Sequence, residues 1–216
     1  MARAEGYNEH MLSGGGDEQY RKLGGFIPRT DNTIRVLDIG CGTGVELDYI
    51  WKNAPNAYIT CLDLSSDMLA LLLKNHPDHH SQIAVVEASY LNWTYPLETF
   101  DIVVSSQTMH HFMPEQKIAV YRNLLRTLKP DGVYLENDWY MDAAGAEQYR
   151  RRYETIISKI PDHVDAGQYH IDIPFTIDAQ RQLFLNAGLH TVEVLESHIR
   201  AQWSGGIMKA GKREAV

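Results

Sequence analysis

Only two cysteines, Cys41 and Cys61, occur in the 216 residues, too few for the disulfide framework of a small secreted fold. Long hydrophobic runs are also missing. The longest strongly apolar stretch, Met68 to Leu73, falls far short of the roughly 20 residues that cross a bilayer. Met1 to Gly16 holds no apolar segment of the kind a secretory leader carries. These absences lead us to expect a reducing, cytoplasmic setting and no membrane partner. Positive charge is scarce too: 20 Lys and Arg against 28 Asp and Glu leave a net charge of −8. That balance argues against a general nucleic-acid binder, which presents a basic field. No repeat or low-complexity tract stands out, and Gly14 to Gly16 is a short hinge at most.

What is present is an ordinary globular composition, 44% apolar and 22% charged, patterned as alternating strands and helices. Polar, helix-compatible segments at 3–12 and 17–24 open the chain. Strand-like runs follow at 34–39, 57–62, 83–86 and 100–104. Between them lie helical patterns at 44–53 and after Ser65 or Ser66, either of which can cap a helix. Pro114 suits a first helical turn, and Lys129-Pro130-Asp131-Gly132 reads as a turn before a fifth strand from Val133. A helix is expected over 142–160, a looser stretch over 161–175, and a last helix from Ala179 closed by Gly188. Two runs near 189–196 and 199–209 are too close together for a helical crossover and should pair as an antiparallel hairpin. The expected fold is α/β: a Rossmann-like, seven-stranded, mostly parallel sheet with a terminal antiparallel β-hairpin and helices on both faces. One domain covers 1–216, divided into an N-terminal helical cap (1–30), a core (34–140), a lid (141–180), and the last helix with its hairpin (181–210).

The stretch Val36-Leu37-Asp38-Ile39-Gly40-Cys41-Gly42-Thr43-Gly44 is the strongest motif. Dinucleotide loops read G-x-G-x-x-G, with the third glycine under a pyrophosphate; here Gly44 comes one residue early and Val45 fills that place. A phosphate-binding Walker loop needs Gly-Lys-Ser/Thr, which is missing. Asp38 would repel a pyrophosphate and attract an ammonium group. Asp63, ending the second strand, suits a carboxylate that accepts the hydroxyls of a ribose. A nucleoside bearing an amino acid, S-adenosylmethionine, meets both demands, with the glycines clearing room for its methionine part.

On these residues the sequence resembles the class I S-adenosylmethionine-dependent methyltransferases, in particular small-molecule enzymes of the ubiquinone and phosphoethanolamine type. Five motifs in order carry the resemblance, strongly over 34–140: VLDIGCGTG, CLDLSSDML (61–69), VVEASY (85–90), FDIVVSSQTMHHF (100–112) and LLRTLKPDGVYLENDWY (124–140). The resemblance implies that Gly40, Cys41, Gly42 and Gly44 line the methionine part and that Asp63 takes the ribose. Leu64 and Met68 would lie against the adenine. Ser89 stands where the family's adenine-binding acid is usual, with Ala88 contributing through its backbone, and Ser105 and Gln107 would lie beside the cofactor.

Methyl transfer from a sulfonium is an in-line displacement, and a hydroxyl or ammonium acceptor needs a base to remove its proton. His110 and His111 follow the fourth strand, and imidazole titrates near neutrality. In phosphoethanolamine-type relatives a histidine at the second position pairs with an N-terminal tyrosine, which favours His111 with Tyr7 or Tyr20. Asp138, Trp139 and Tyr140 past the fifth strand are the acceptor candidates, through charge and ring faces; an aromatic pair sealing the lid is the competing reading. His163, His170 and Asp172 hint at a metal, but their spacing matches no ligand pattern. They are read as lid surface, and no metal is expected. Arg150 to Arg152 read as a solvated helix face, while Arg200 and Trp203 touch the acceptor or finish the sheet edge. The function expected is methyl transfer to an O or N nucleophile of a small molecule, with a homodimer left open. The rivals are a cofactor-binding protein without transfer activity and a nicotinamide oxidoreductase, the latter disfavoured by Val45 and Asp38.

Overall fold

A computed structural model describes residues 16–160, 171–198 and 205–212. The helix expected at 3–12 lies outside them, as do Tyr7, His163, His170, Arg200 and Trp203. The described elements run α1 (Gly16–Gly25), β1 (Arg35–Ile39), α2 (Leu47–Asn53), β2 (Tyr58–Asp63), α3 (Ser66–Asn75), β3 (Ile83–Glu87), β4 (Phe100–Ser106), α4 (Pro114–Thr127), β5 (Leu128–Asp138), α5 (Ala143–Ile157), α6 (Ile177–Ala187), β6 (Thr191–His198) and β7 (Gly205–Gly211).

One seven-stranded sheet is ordered β3-β2-β1-β4-β5-β7-β6. β1 to β5 pair in parallel, and β7 runs antiparallel to both β5 and β6, as the alternating pattern and the short final connection dictate. Period-two alternation in β1 feeds both faces. Leu37 and Ile39 join Val120, Tyr121 and Leu124 of α4 and Phe184 of α6. Val36 joins Leu23, Ile50, Leu69 and Leu72 from α1, α2 and α3. The chain winds outward from β1 through β2 to β3 and then returns to place β4 beside β1. That reversal opens a crevice beyond the carboxyl ends of β1 and β4, where open α/β sheets bind their ligands.

Local signals account for most boundaries. The Ser65 hydroxyl accepts from the Met68 N–H and caps α3, Pro114 starts α4, and Gly188, at φ +99°, closes α6. The Lys129–Gly132 signal departs from expectation: β5 runs through it unbroken. Phe100 pairs with Leu128 whereas Ile102 pairs with Val133, so a five-residue step in β5 faces a two-residue step in β4. Pro130, with no N–H to give the ladder, falls in that irregularity. The turn residues bend a strand here rather than end one.

Candidate functional site

The loop after β1 carries positive φ at Gly40 (+68°), Gly42 (+50°) and Gly44 (+73°), a region where a Cβ is strained. The space that side chains would need at two of these positions belongs to the protein itself. A Cβ on Gly40 would lie 2.5 Å from Thr108 Cγ2, and one on Gly44 would lie 2.9 Å from Leu72 Cγ. At 40 and 44, then, glycine also lets the loop fold tightly against β4's exit and α3.

Asp38 is wholly buried at the end of β1, and neither carboxylate oxygen has a hydrogen-bond partner among the described residues. Burial pushes its pKa well above the usual carboxylate range, and the nearby acids Glu46 and Asp63 and the Cys61 thiol push the same way. Glu46, at the start of α2, is also buried, and its pKa rises to about 8 through desolvation and the charge of Asp63. Acidic groups thus converge on the glycine loop with no compensating cation among the described residues, and burial holds them toward their neutral forms until a bound cation favours ionisation. Glu46 was not anticipated from the sequence; an acid two residues beyond the last loop glycine was the available signal. Asp63 accepts the Gly42 N–H (2.9 Å) through one oxygen and the Ser65 N–H (2.8 Å) through the other, so it shapes the loop and retains lone pairs for further donors.

On the expected adenine side, Leu64 is 68% exposed on the lip of the crevice and Met68 is half-buried. The Ala88 N–H is committed to the Asp63 carbonyl, and the Ser89 hydroxyl accepts from the Leu91 N–H at 3.3 Å. Cys41 is buried. Gln107 takes φ +53° at the exit of β4, a strained conformation for a residue with a side chain. Ser105 instead turns its hydroxyl 2.7 Å from Tyr134 Oη in the interior.

His110 and His111 sit in a short helical turn, Met109–His111, their ring centroids 4.0 Å apart. His110 Nδ1 lies 2.5 Å from Asp138 Oδ1. Although burial opposes its ionisation, Asp138 is held below the ordinary carboxylate pKa by His110, with Lys117 and the Trp139 N–H helping. An ionised carboxylate only accepts, so Nδ1 carries the hydrogen of this contact. His111 Nδ1 lies 3.3 Å from Asp172 Oδ1. Burial lowers the pKa of His111, His110 adds to that, and Asp172 and Asp138 oppose it. Asp172, read from the sequence as lid surface, is therefore beside the histidine pair. The backbone brings it there: the Ile173 N–H donates to the His110 carbonyl and the Met141 N–H to the Phe175 carbonyl. No sequence spacing encodes that long-range contact.

The acceptor candidates separate. Asp138 is buried against His110. Trp139 packs edge-on to His110 and to Tyr149, and its Nε1 is a buried donor without a partner among the described residues. Tyr140 is a core residue whose hydroxyl donates to Glu136, so its ring is withdrawn from the mouth. Glu136 also receives the hydroxyls of Tyr121 and Tyr134, and Gln180 links Tyr121 to the buried Lys117. Tyr20 is buried on α1, and Lys22 on the same helix pairs with Glu196 of β6 at 2.7 Å. Arg150 and Arg151 bond Glu147 on the outer face of α5, as a solvated face requires.

Comparison with known proteins agrees with this fold. Residues 36–132 match the family model described as "Methyltransferase domain". The chain is 31% identical over 105 residues to phosphoethanolamine N-methyltransferase of Triticum aestivum, a match over 49% of this chain and 20% of that one. It is 28% identical over 194 residues to tRNA N(3)-cytidine methyltransferase METTL2 of Danio rerio, over 87% of this chain and 53% of that one. The chain thus spans from about a fifth to about half of these relatives' length. In fold it is similar to the YcgJ protein of Bacillus subtilis, with a TM-score of 0.69, 14% identity, and coverage of 92% of this chain and 99% of that one. The cofactor of such enzymes is a sulfonium that also bears an ammonium group, and the Asp38 carboxylate, without a hydrogen-bond partner among the described residues, fits that charge with Glu46 nearby. The domain match over 36–132, the methyltransferase relatives and the shared fold together support a class I S-adenosylmethionine-dependent methyltransferase.

Proposed function

We propose that this protein transfers a methyl group to an oxygen or nitrogen nucleophile of a small molecule, with His111 as the base. The observation that carries this reading is the half-buried imidazole of His111 at the carboxyl end of β4, with Nδ1 3.3 Å from the Asp172 carboxylate. When bound, S-adenosylmethionine supplies the electrophilic methyl group. The chain's residues do the rest. Asp38 and Glu46 hold the ammonium end, Asp63 the ribose, and Leu64 and Met68 give the adenine an apolar bed. His111 takes the acceptor's proton, and Asp172 then stabilises the imidazolium. His110, locked by Asp138, fixes the ring beside it and is the alternative base. Tyr7 or Tyr20 is the partner of the base, and Trp139 offers an edge to the acceptor. The 141–180 segment selects the acceptor.

A small acceptor is favoured by the acidic balance of the chain, although the similarity to a tRNA methyltransferase over 87% of its length makes RNA the second reading. One experiment separates them. Pure protein is given methyl-labelled cofactor with either a metabolite extract or total tRNA. Label in the small-molecule fraction, lost in His111→Ala while cofactor binding persists, is expected. Label confined to tRNA overturns the acceptor class, and cofactor binding without any transfer makes the protein a binding module.

A further inference from the structure

The crevice holds a constellation that a proton-transfer role does not exhaust. Donor atoms of His110, His111 and Asp172 all lie within 4.8 Å of one another. Asp172 Oδ1 is 3.8 Å from His110 Nε2 and 3.3 Å from His111 Nδ1. Ligand atoms around a tetrahedral zinc ion, bonded at about 2.1 Å, stand roughly 3.4 Å apart. The two separations from Asp172 Oδ1 already lie near that spacing, and the Asp172 side chain is 35% exposed.

Two further features organise the cluster. Asp138, buried, receives the Nδ1–H of His110 at 2.5 Å, which leaves Nε2 on the side of Asp172, 3.8 Å from its Oδ1. An outer carboxylate bonded to the far nitrogen of a histidine is the arrangement that orients metal-ligating imidazoles. The Asp172 segment is fastened at both ends of the site: Ile173 N–H to the His110 carbonyl at 2.6 Å, and Phe175 to the 140–141 backbone. The carboxylate is thereby presented from a fixed backbone, although it lies about 60 residues along the chain from the histidines.

We propose that His110, His111 and Asp172 bind a divalent transition-metal ion at the acceptor end of the crevice, with Asp138 as the positioning residue behind His110. Two imidazole nitrogens and one carboxylate oxygen suit zinc, iron(II) or cobalt(II), whereas calcium and magnesium call for oxygen donors. Three protein ligands leave coordination positions open to an oxygen of the acceptor. When Nδ1 of His111 ligates the ion, Nε2 carries its hydrogen and the ring is no longer a base. A bound ion therefore removes this imidazole base from the transfer proposed above. Only this last consequence rests on that reading; the site itself does not.

The test is a titration of chelator-stripped, tag-free full-length protein with cobalt(II), followed by visible absorption. One equivalent should bind with the intense bands of a four- or five-coordinate centre and be displaced by zinc. Asp172→Asn, a change at a half-exposed position, should weaken binding at least tenfold, as should His110→Ala. Asp138→Asn should weaken it by about ten- to a hundredfold, while His80→Ala, at an exposed histidine, should leave it unchanged. A spectrum without saturable bands, or binding that survives in both Asp172→Asn and His110→Ala, overturns the site. That result would not touch the imidazole base, whose failure is read separately as intact cofactor binding without transfer by the metal-free protein.

Discussion

Asp38 is the residue on which the cofactor assignment turns. A buried carboxylate with no partner among the described residues and acids for neighbours destabilises the unliganded protein, and the same deficit favours an incoming cation. Asp38→Asn should therefore weaken S-adenosylmethionine binding about ten- to a hundredfold, the loss expected for one charge-assisted contact. The unliganded variant should melt no lower than the parent. Calorimetric titration and thermal melting check the two halves. Glu46 makes a pH prediction. Its folded pKa of about 8 lies above the ordinary 4.5, so between those values the native state keeps a proton that the unfolded chain has released. Stability is then greatest below about pH 4.5 and is lost as the pH climbs toward about 8. In melts of the unliganded protein between about pH 5 and about pH 8, Glu46→Gln should flatten this decline, with Asp38 supplying the remaining slope.

Elements differ in how plainly the sequence announces them. α3 is written in its cap and its apolar spacing, and Ser65→Ala should lower stability by about 1 kcal/mol in chemical denaturation with the fold retained. Parallel strands such as β1 and β4 show as short apolar runs, and the glycine loop between β1 and α2 is legible because few residues tolerate positive φ. β5 shows where this reasoning stops: Pro130 and Gly132 mark a change of register as readily as a turn, and only the pairing partner decides. The Glu136 cluster is less legible still. Its tyrosines come from β5, α4 and the chain after β5, and each alone reads as an apolar core position. Tyr134→Phe strips one donor from Glu136 and one partner from Ser105. A loss of about 1–3 kcal/mol should follow, measured by denaturant unfolding, with cofactor affinity unchanged.

At the scale of the molecule, sheet order brings Asp38, Asp63, His110, His111 and Asp138 to one edge although they span about a hundred residues of chain. The motif order made most of that site readable. Asp172 was not, because a backbone contact outside any periodic element delivers it. Net charge bears on the acceptor. Transfer to a small molecule should change less than about threefold between 50 and 200 mM salt, whereas a tRNA acceptor would lose orders of magnitude in apparent affinity over that range as counterion release dictates. Turnover assays at several salt concentrations settle this. The central claim, that a cationic sulfur nucleoside sits over the loop after β1, is tested most directly by a crystal structure with S-adenosylhomocysteine. We predict its amino group against the Asp38 and Glu46 carboxylates and its ribose hydroxyls on Asp63. The account is contradicted if the ligand lies elsewhere, or if the crevice stays empty at saturating concentration.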